Sequence, residues 1–329
     1  MRKSVLRDAD LAMNDVYPLI RDRVLRYGNK VYALSLGEPP LLLAGPSAES
    51  IQLVGAWEQL DFRLSSKGST VTYPHVVELL ARAIAYSQHR SRSAICFDVE
   101  SMQPLLTTPP FVKALQQMCS EQLAKDSPAA SLALVFPSTE GSTTIAELPN
   151  AQQVYNLPRN TWEKNKAAEG VTLLGFAGRS MSVTRSTRNS SSAFRLLAWL
   201  GSEATSTQLS PRSQATAWFR KSQLASAQKW LAEDTGRDAA STLVTKLLAS
   251  EQSFLLPRIP GIDEYLKKLD EAVSSALEDS PVSGQTQSEF AEQTLQQATS
   301  HWNAITDHYG RDRQRVAYRR HLGLDDSDE

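Results

Sequence analysis

The chain has 329 residues, of which 41% are hydrophobic, with 35 Lys and Arg against 36 Asp and Glu. That composition fits a soluble globular protein of about two domains and excludes a disordered chain. A net charge near zero offers no overall field to draw nucleic acid or an anionic membrane, so any basic site is local.

Residues 5–26 read as a helix. A strand follows over residues 30–37, closed by Gly37-Glu38-Pro39-Pro40, and residues 41–45 continue the sheet. "YPHVVELLARAIAYSQ" puts Val77, Leu80, Ala81 and Ile84 on one helical face behind Pro74. "TPPFVKALQQMCSEQL" does the same with Phe111, Leu115 and Met118. "SLALVFPS" is a short strand ended by Pro137, and residues 139–170 are polar and turn-rich. "VTLLGFAG" is a further strand, and "SSAFRLLAWL" a helix with serines at its start.

The last third is helical. Ile262, Leu266, Leu269, Val273 and Ala276 recur at helical spacing, and Thr286 to Glu289 has capping-box spacing before a helix with Phe290, Leu295, Ala298, Trp302 and Ile305. Strands separated by helices predict an α/β chain, with the late helices packed around the sheets. No run of 18 apolar residues predicts a membrane span, and Asp8, Asp10 and Asp15 interrupt the start where an export signal needs an apolar stretch.

Chemistry-bearing motifs are scarce. The sequence has no Gly-x-Gly-x-x-Gly, no phosphate-binding Gly-x-x-x-x-Gly-Lys-Ser/Thr, no His-Glu-x-x-His and no Gly-x-Ser-x-Gly. Cys96 and Cys119 lack metal-ligand spacing, although one disulfide between them is possible. His301 and His308 share a helical face without a third ligand, and the basic run 310–320 reads as a solvated helix face. No acid–base or nucleophile set emerges, so an enzyme, a cofactor and a metal are not expected.

Among the six tryptophans, Trp199 and Trp302 fall on apolar helix faces and read as core. Trp162 and Trp218 lie in polar contexts, where an indole can stack on a sugar or base or simply pack under a loop.

Taken in order, "GNKVYALSLGEPP", "AWEQL", "FDVESMQPLLTTPPFVKALQQM", "LALVFPS", "LLGFAGRSMSVTRSTRNSSSAFRLLAWL" and "LLPRIPGIDEYLKKLDEAVSSAL" resemble the extracellular solute-binding proteins of ABC importers. The resemblance is to the carbohydrate-binding branch related to maltose-binding protein, and it covers most of residues 25–322. It implies a type II, two-lobed periplasmic-binding-protein-like α/β fold that holds a polar solute between lobes and delivers it to a membrane permease. It implies a first lobe of residues 1–88 with 175–222 and a second of 89–174 with 223–329. A monomer, periplasmic or extracellular and membrane-associated, with no nucleic-acid partner, is the corresponding expectation.

The family begins with a further strand–helix–strand portion and an export signal, often with a lipid-attachment cysteine. "LLLAGPSAESIQLVG" also replaces its usual "Y-N-x-D-L-F". The first lobe is therefore expected to be partial.

Carried over by position, the resemblance implies ligand contacts from Glu38, Ser138, Arg179 and Tyr265, to which Trp162 and Trp218 add aromatic surfaces. Turn chemistry accounts for Glu38 and Ser138 as well as ligand contact does, and Tyr265 fits a helix core equally. Arg185 and Arg188 read as part of a solvated turn. The alternative function is a degenerate or truncated version of the same fold, acting as an interaction or structural protein without transport.

Overall fold

The computed structural model describes residues 11–28, 30–47, 55–65, 69–87, 94–121, 132–137, 144–167, 170–209, 217–231, 237–279, 281 and 283–324. Its strands are β1 Arg26–Tyr27, β2 Lys30–Val31, β3 Leu34–Gly37, β4 Leu42–Gly45, β5 Ala133–Val135, β6 Thr144–Ala146, β7 Gln153–Asn156, β8 Thr161–Lys164, β9 Thr172–Leu174, β10 Arg179–Met181 and β11 Ser253–Leu255. Its α-helices are α1 Pro74–Ala85, α2 Pro109–Ser120, α3 Ser190–Gly201, α4 Glu203–Leu209, α5 Arg237–Ala249, α6 Ile262–Glu278, α7 Gln287–Tyr309 and α8 Arg311–Leu322.

The chain divides into two compact units. The first comprises residues 1–42, 136–146 and 172–256, the second residues 43–135, 147–171 and 257–329. Residues 43–88, grouped from sequence with the first lobe, thus fall in the second unit, because α1 packs on α2 and α6. Residues 223–256 fall in the first, because β11 pairs in parallel with β9 through the crossover that carries α5.

In the first unit, β3 pairs antiparallel with β10, Arg179 opposite Gly37 and Met181 opposite Leu34, with an irregularity after Arg179. Leu11, Leu34 and Leu197 form a core cluster here. Arg220 is buried and ties this layer together, donating to the carbonyls of Leu11 at 2.8 Å, Ala12 at 3.1 Å and Gly201. The helix expected over residues 5–26 is only a single π-turn at Ile20–Val24 among the described residues. Pro18 lacks the N–H that an unbroken helix needs, and Val16 instead bridges to Arg220.

The second unit is mainly helical. α7 packs along α6 and α2, and α1 packs on α2, so the late helices build a helical layer of their own instead of only flanking sheets. Thr286 caps α7 as its spacing predicts, its Oγ1 accepting from the Glu289 N–H at 3.2 Å while the Glu289 carboxylate accepts from the Thr286 N–H at 2.8 Å. Phe97 stacks on Trp302 at 5.0 Å and meets Tyr265 and Tyr318 edge-on at 5.4 and 5.5 Å. All four rings are fully buried, a large apolar contribution at the heart of this unit. The basic run is α8, which buries Gln314 and Tyr318 and pairs Arg311 with Asp307 and Arg319 with Glu100.

Both cysteines are free thiols, Cys96 buried and Cys119 half-buried. Burial pushes their pKa values up to about 12 and about 11, which keeps them protonated and poorly nucleophilic.

Candidate ligand-binding site

Two of the six residues singled out from sequence, Glu38 and Arg179, lie together in the first unit at the end of β3, and the segment leading to Trp218 closes on Gly37. Glu38 follows Gly37 directly and is only 3% exposed. Its Oε1 accepts the Gly175 N–H at 2.6 Å. Gly178, across the same turn, has no room for a Cβ: one would collide with the Glu38 carboxylate. Gly37, at φ +135°, likewise has the Ala217 backbone where a Cβ would stand. The glycines therefore let the 175–179 turn and the 217–218 segment close on the β3 end.

Arg179 emerges from this junction into solvent. Its guanidinium donates to the Ala177 and Gly178 carbonyls at 3.3 and 3.2 Å, which hold the side chain over its own turn. Trp218 sits at 1% exposure with its ring 5.9 Å from Trp230. Its indole N–H is buried without a hydrogen-bond partner among the described residues. A buried donor of that kind is costly to leave unmade. The end of β3 thus holds one buried carboxylate and one exposed guanidinium.

Trp162 lies in the second unit on β8, paired across a hairpin with Tyr155 of β7. Its ring is 5.3 Å from Tyr155 and 6.2 Å from Tyr86. The Lys113 ammonium stands 4.5 Å above both the Tyr86 and the Trp162 rings and 3.2 Å from Glu58 Oε1. Glu58 Oε2 also accepts the Gln152 N–H at 3.0 Å, which fixes the hairpin's start. Sequence reasoning passed over Lys113, Tyr86 and Glu58. The available signal was Lys113 one turn before Gln117 on α2, a polar stripe beside the Phe111, Leu115 and Met118 face.

Tyr265 is fully buried in the second unit. Its hydroxyl shares a 2.9 Å hydrogen bond with Thr306 and receives one from Gln314 Nε2 at 3.3 Å, and its carbonyl accepts the Trp302 N–H at 2.9 Å. Burial pushes the hydroxyl pKa up to about 12. Its ring, edge-on to Phe97 and Trp302, and its polar atoms are engaged inside the unit. Ser138 lies outside the described residues.

The tryptophan assignments divide. Trp302 is core as expected, but Trp199 is 59% exposed. The buried stripe of α3 runs through Leu197 and Gly201, and two residues further along a helix point about 200° away.

No protein-family model matches the sequence, and no curated protein matches it. Solved structures do match over nearly the whole chain. An ABC substrate-binding protein from Listeria monocytogenes in complex with cycloalternan aligns at TM-score 0.58 and 12% identity, covering 92% of this chain and 79% of that one. The sugar-binding protein MalE of Xanthomonas citri aligns at 0.58 and 13%, covering 94% and 80%. An ABC transporter solute-binding protein of Agrobacterium vitis with bound D-mannitol aligns at 0.53 and 14%, covering 93% and 80%.

The fold is that of the type II periplasmic binding proteins. Its two lobes, α/β composition and helix-rich C-terminal part follow the architecture that the motif order implied. Among the described residues, no helix is long and apolar enough to cross a membrane.

Proposed function

We propose that the protein is the solute-binding component of an ABC importer, capturing a carbohydrate or polyol reversibly and passing it to a membrane permease. The observation that carries this reading is the match over nine-tenths of the chain to solved binding proteins, two of which hold D-mannitol and cycloalternan. On this reading the protein works outside the membrane, in the periplasm or at the cell surface, as a monomer with no covalent step to perform.

Sugar and polyol recognition calls for hydrogen-bond donors and acceptors placed for hydroxyls, with an aromatic surface for the C–H face. On this reading Arg179 of the first unit donates to hydroxyls and Glu38 orders the turn that carries it, while Trp162 of the second unit offers aromatic surface and Trp218 packs beneath its loop. Tyr265 then acts as a packing residue of its helix.

The test is a thermal-shift screen of the full chain against hexoses, pentitols, hexitols and maltooligosaccharides. A ligand present at about 100 times its Kd stabilises by roughly 2.7 kcal/mol, a shift of several degrees. At least one member of the panel raises Tm if the proposal holds. A flat response across the panel defeats it.

A further inference from the structure

The second unit contains a pocket of about 150 Å³ that the solute reading does not use. Ile95, Phe97, Val99, Leu105, Pro110 and Leu157 make its apolar wall. The hydroxyls on that wall are already engaged. Ser87 donates to the Ala83 carbonyl at 2.8 Å, Thr108 donates to the Leu105 carbonyl at 2.7 Å, and Tyr155 is bonded to Asn160. An apolar occupant therefore strands no donor, and an apolar cavity of about this size holds a benzene ring.

One wall residue differs. Asp98 is exposed, and its Oδ1 accepts the Ser101 N–H at 2.8 Å, the Ser101 hydroxyl at 2.6 Å and the Glu100 N–H at 3.2 Å. These donors fix the carboxylate in place and hold its pKa below the ordinary aspartate value. Its Oδ2 makes no hydrogen bond and no ion pair among the described residues. The nearby cations are committed elsewhere, Arg319 to Glu100 and Arg311 to Asp307. The pocket thus combines an uncharged interior with one uncompensated anion on its wall.

We propose that this pocket binds a small organic cation, its ring-sized apolar body among Phe97, Leu105 and Leu157 and its ammonium against Asp98. The pocket lining includes none of the residues assigned to the carbohydrate. Tyr155 lines the pocket and also packs 5.3 Å from Trp162, which gives occupancy an optical reporter.

The probes are benzylammonium, its neutral isostere benzyl alcohol, and phenylacetate, each titrated into the full chain at pH 7 and low salt. Ligand-observed NMR and tryptophan emission follow binding. Benzylammonium binds saturably, benzyl alcohol binds more weakly by roughly two- to fivefold, and phenylacetate is weaker still. Asp98→Asn keeps the Ser101 contacts and brings benzylammonium down to the level of benzyl alcohol. Ala94→Phe, at the half-buried rim, fills the pocket and abolishes both, with circular dichroism confirming the fold. Should Ala94→Phe fail to fold, the Asp98→Asn comparison decides alone. The proposal is overturned by equal affinities for all three probes, by undiminished benzylammonium binding in Asp98→Asn, or by no saturable binding at all. The ligand-observed NMR titrations and the Asp98→Asn comparison are run without sugar, so a failed sugar panel is distinguishable from a failure of this proposal.

Discussion

The carboxylate of Glu38 occupies the space where a side chain on Gly178 would begin, while its Oε1 holds the Gly175 N–H at 2.6 Å. One buried acid thereby shapes the turn from which Arg179 projects. Gly178→Ala forces Glu38 to move and breaks its bond to Gly175, at a cost of about 1–3 kcal/mol. In a Glu38→Ala background the same change costs much less, because its obstacle is gone. Urea unfolding of the four proteins measures this coupling. Additive effects would contradict the contact.

Arg82 is wholly buried between two acids, with its Nη2 2.5 Å from Glu78 Oε1 and its Nη1 2.5 Å from Glu121 Oε1. Arg82→Met removes the cation to which both buried acids are bonded and costs about 3–5 kcal/mol, read by urea denaturation. Burial lifts the Glu121 pKa to about 7, although Arg82 works against the rise. The folded protein therefore retains a proton that the unfolded chain releases near the ordinary glutamate value. This contribution to stability is complete below that value and is lost as pH rises through about 7, with a slope of at most about 1.4 kcal/mol per pH unit. Unfolding curves between pH 4.5 and 8 show this slope in the natural chain and lack it in Glu121→Gln. Parallel profiles for the two proteins would contradict the assignment.

Lys113 serves two aromatic rings and one acid at once. Lys113→Met removes the ammonium over Tyr86 and Trp162 and its ion pair with Glu58, at a cost of about 1 kcal/mol. Glu58 keeps its backbone contact to Gln152, so the hairpin stays in place and the change shows chiefly in Trp162 emission. A double-mutant cycle with Trp162→Leu recovers a coupling energy of the same order. Zero coupling would mean that the ammonium and the indole do not interact.

Where a residue's local pattern and its tertiary surroundings agreed, the sequence was readable. Thr286 and Glu289 form their capping box within four residues of chain, and Val273 and Leu269 are buried because the period of α6 puts them on one face. The convergence of Glu38, Gly178 and Trp218 depends on segments 140 to 180 residues apart, which no local pattern records. Only the order of motifs hinted at it. Trp218 is buried where Ala217 closes onto Gly37, which is the packing outcome that its polar sequence context left open. Trp199 departs from its core expectation, being apolar on a helix whose buried stripe is narrower than its apolar one. Lys113 stayed hidden because a lysine on an amphipathic helix ordinarily faces water, and the rings beneath it arrive from α1 and β8.

Reversible capture of a sugar or polyol is measured by calorimetric titration of the full chain with D-mannitol, ribitol, maltose and longer maltooligosaccharides. Saturable one-to-one binding of at least one of these is expected, weakened at least about tenfold by Arg179→Ala with the fold intact. No binding heat with any of them, or affinity unchanged by both Arg179→Ala and Trp162→Ala, would contradict it.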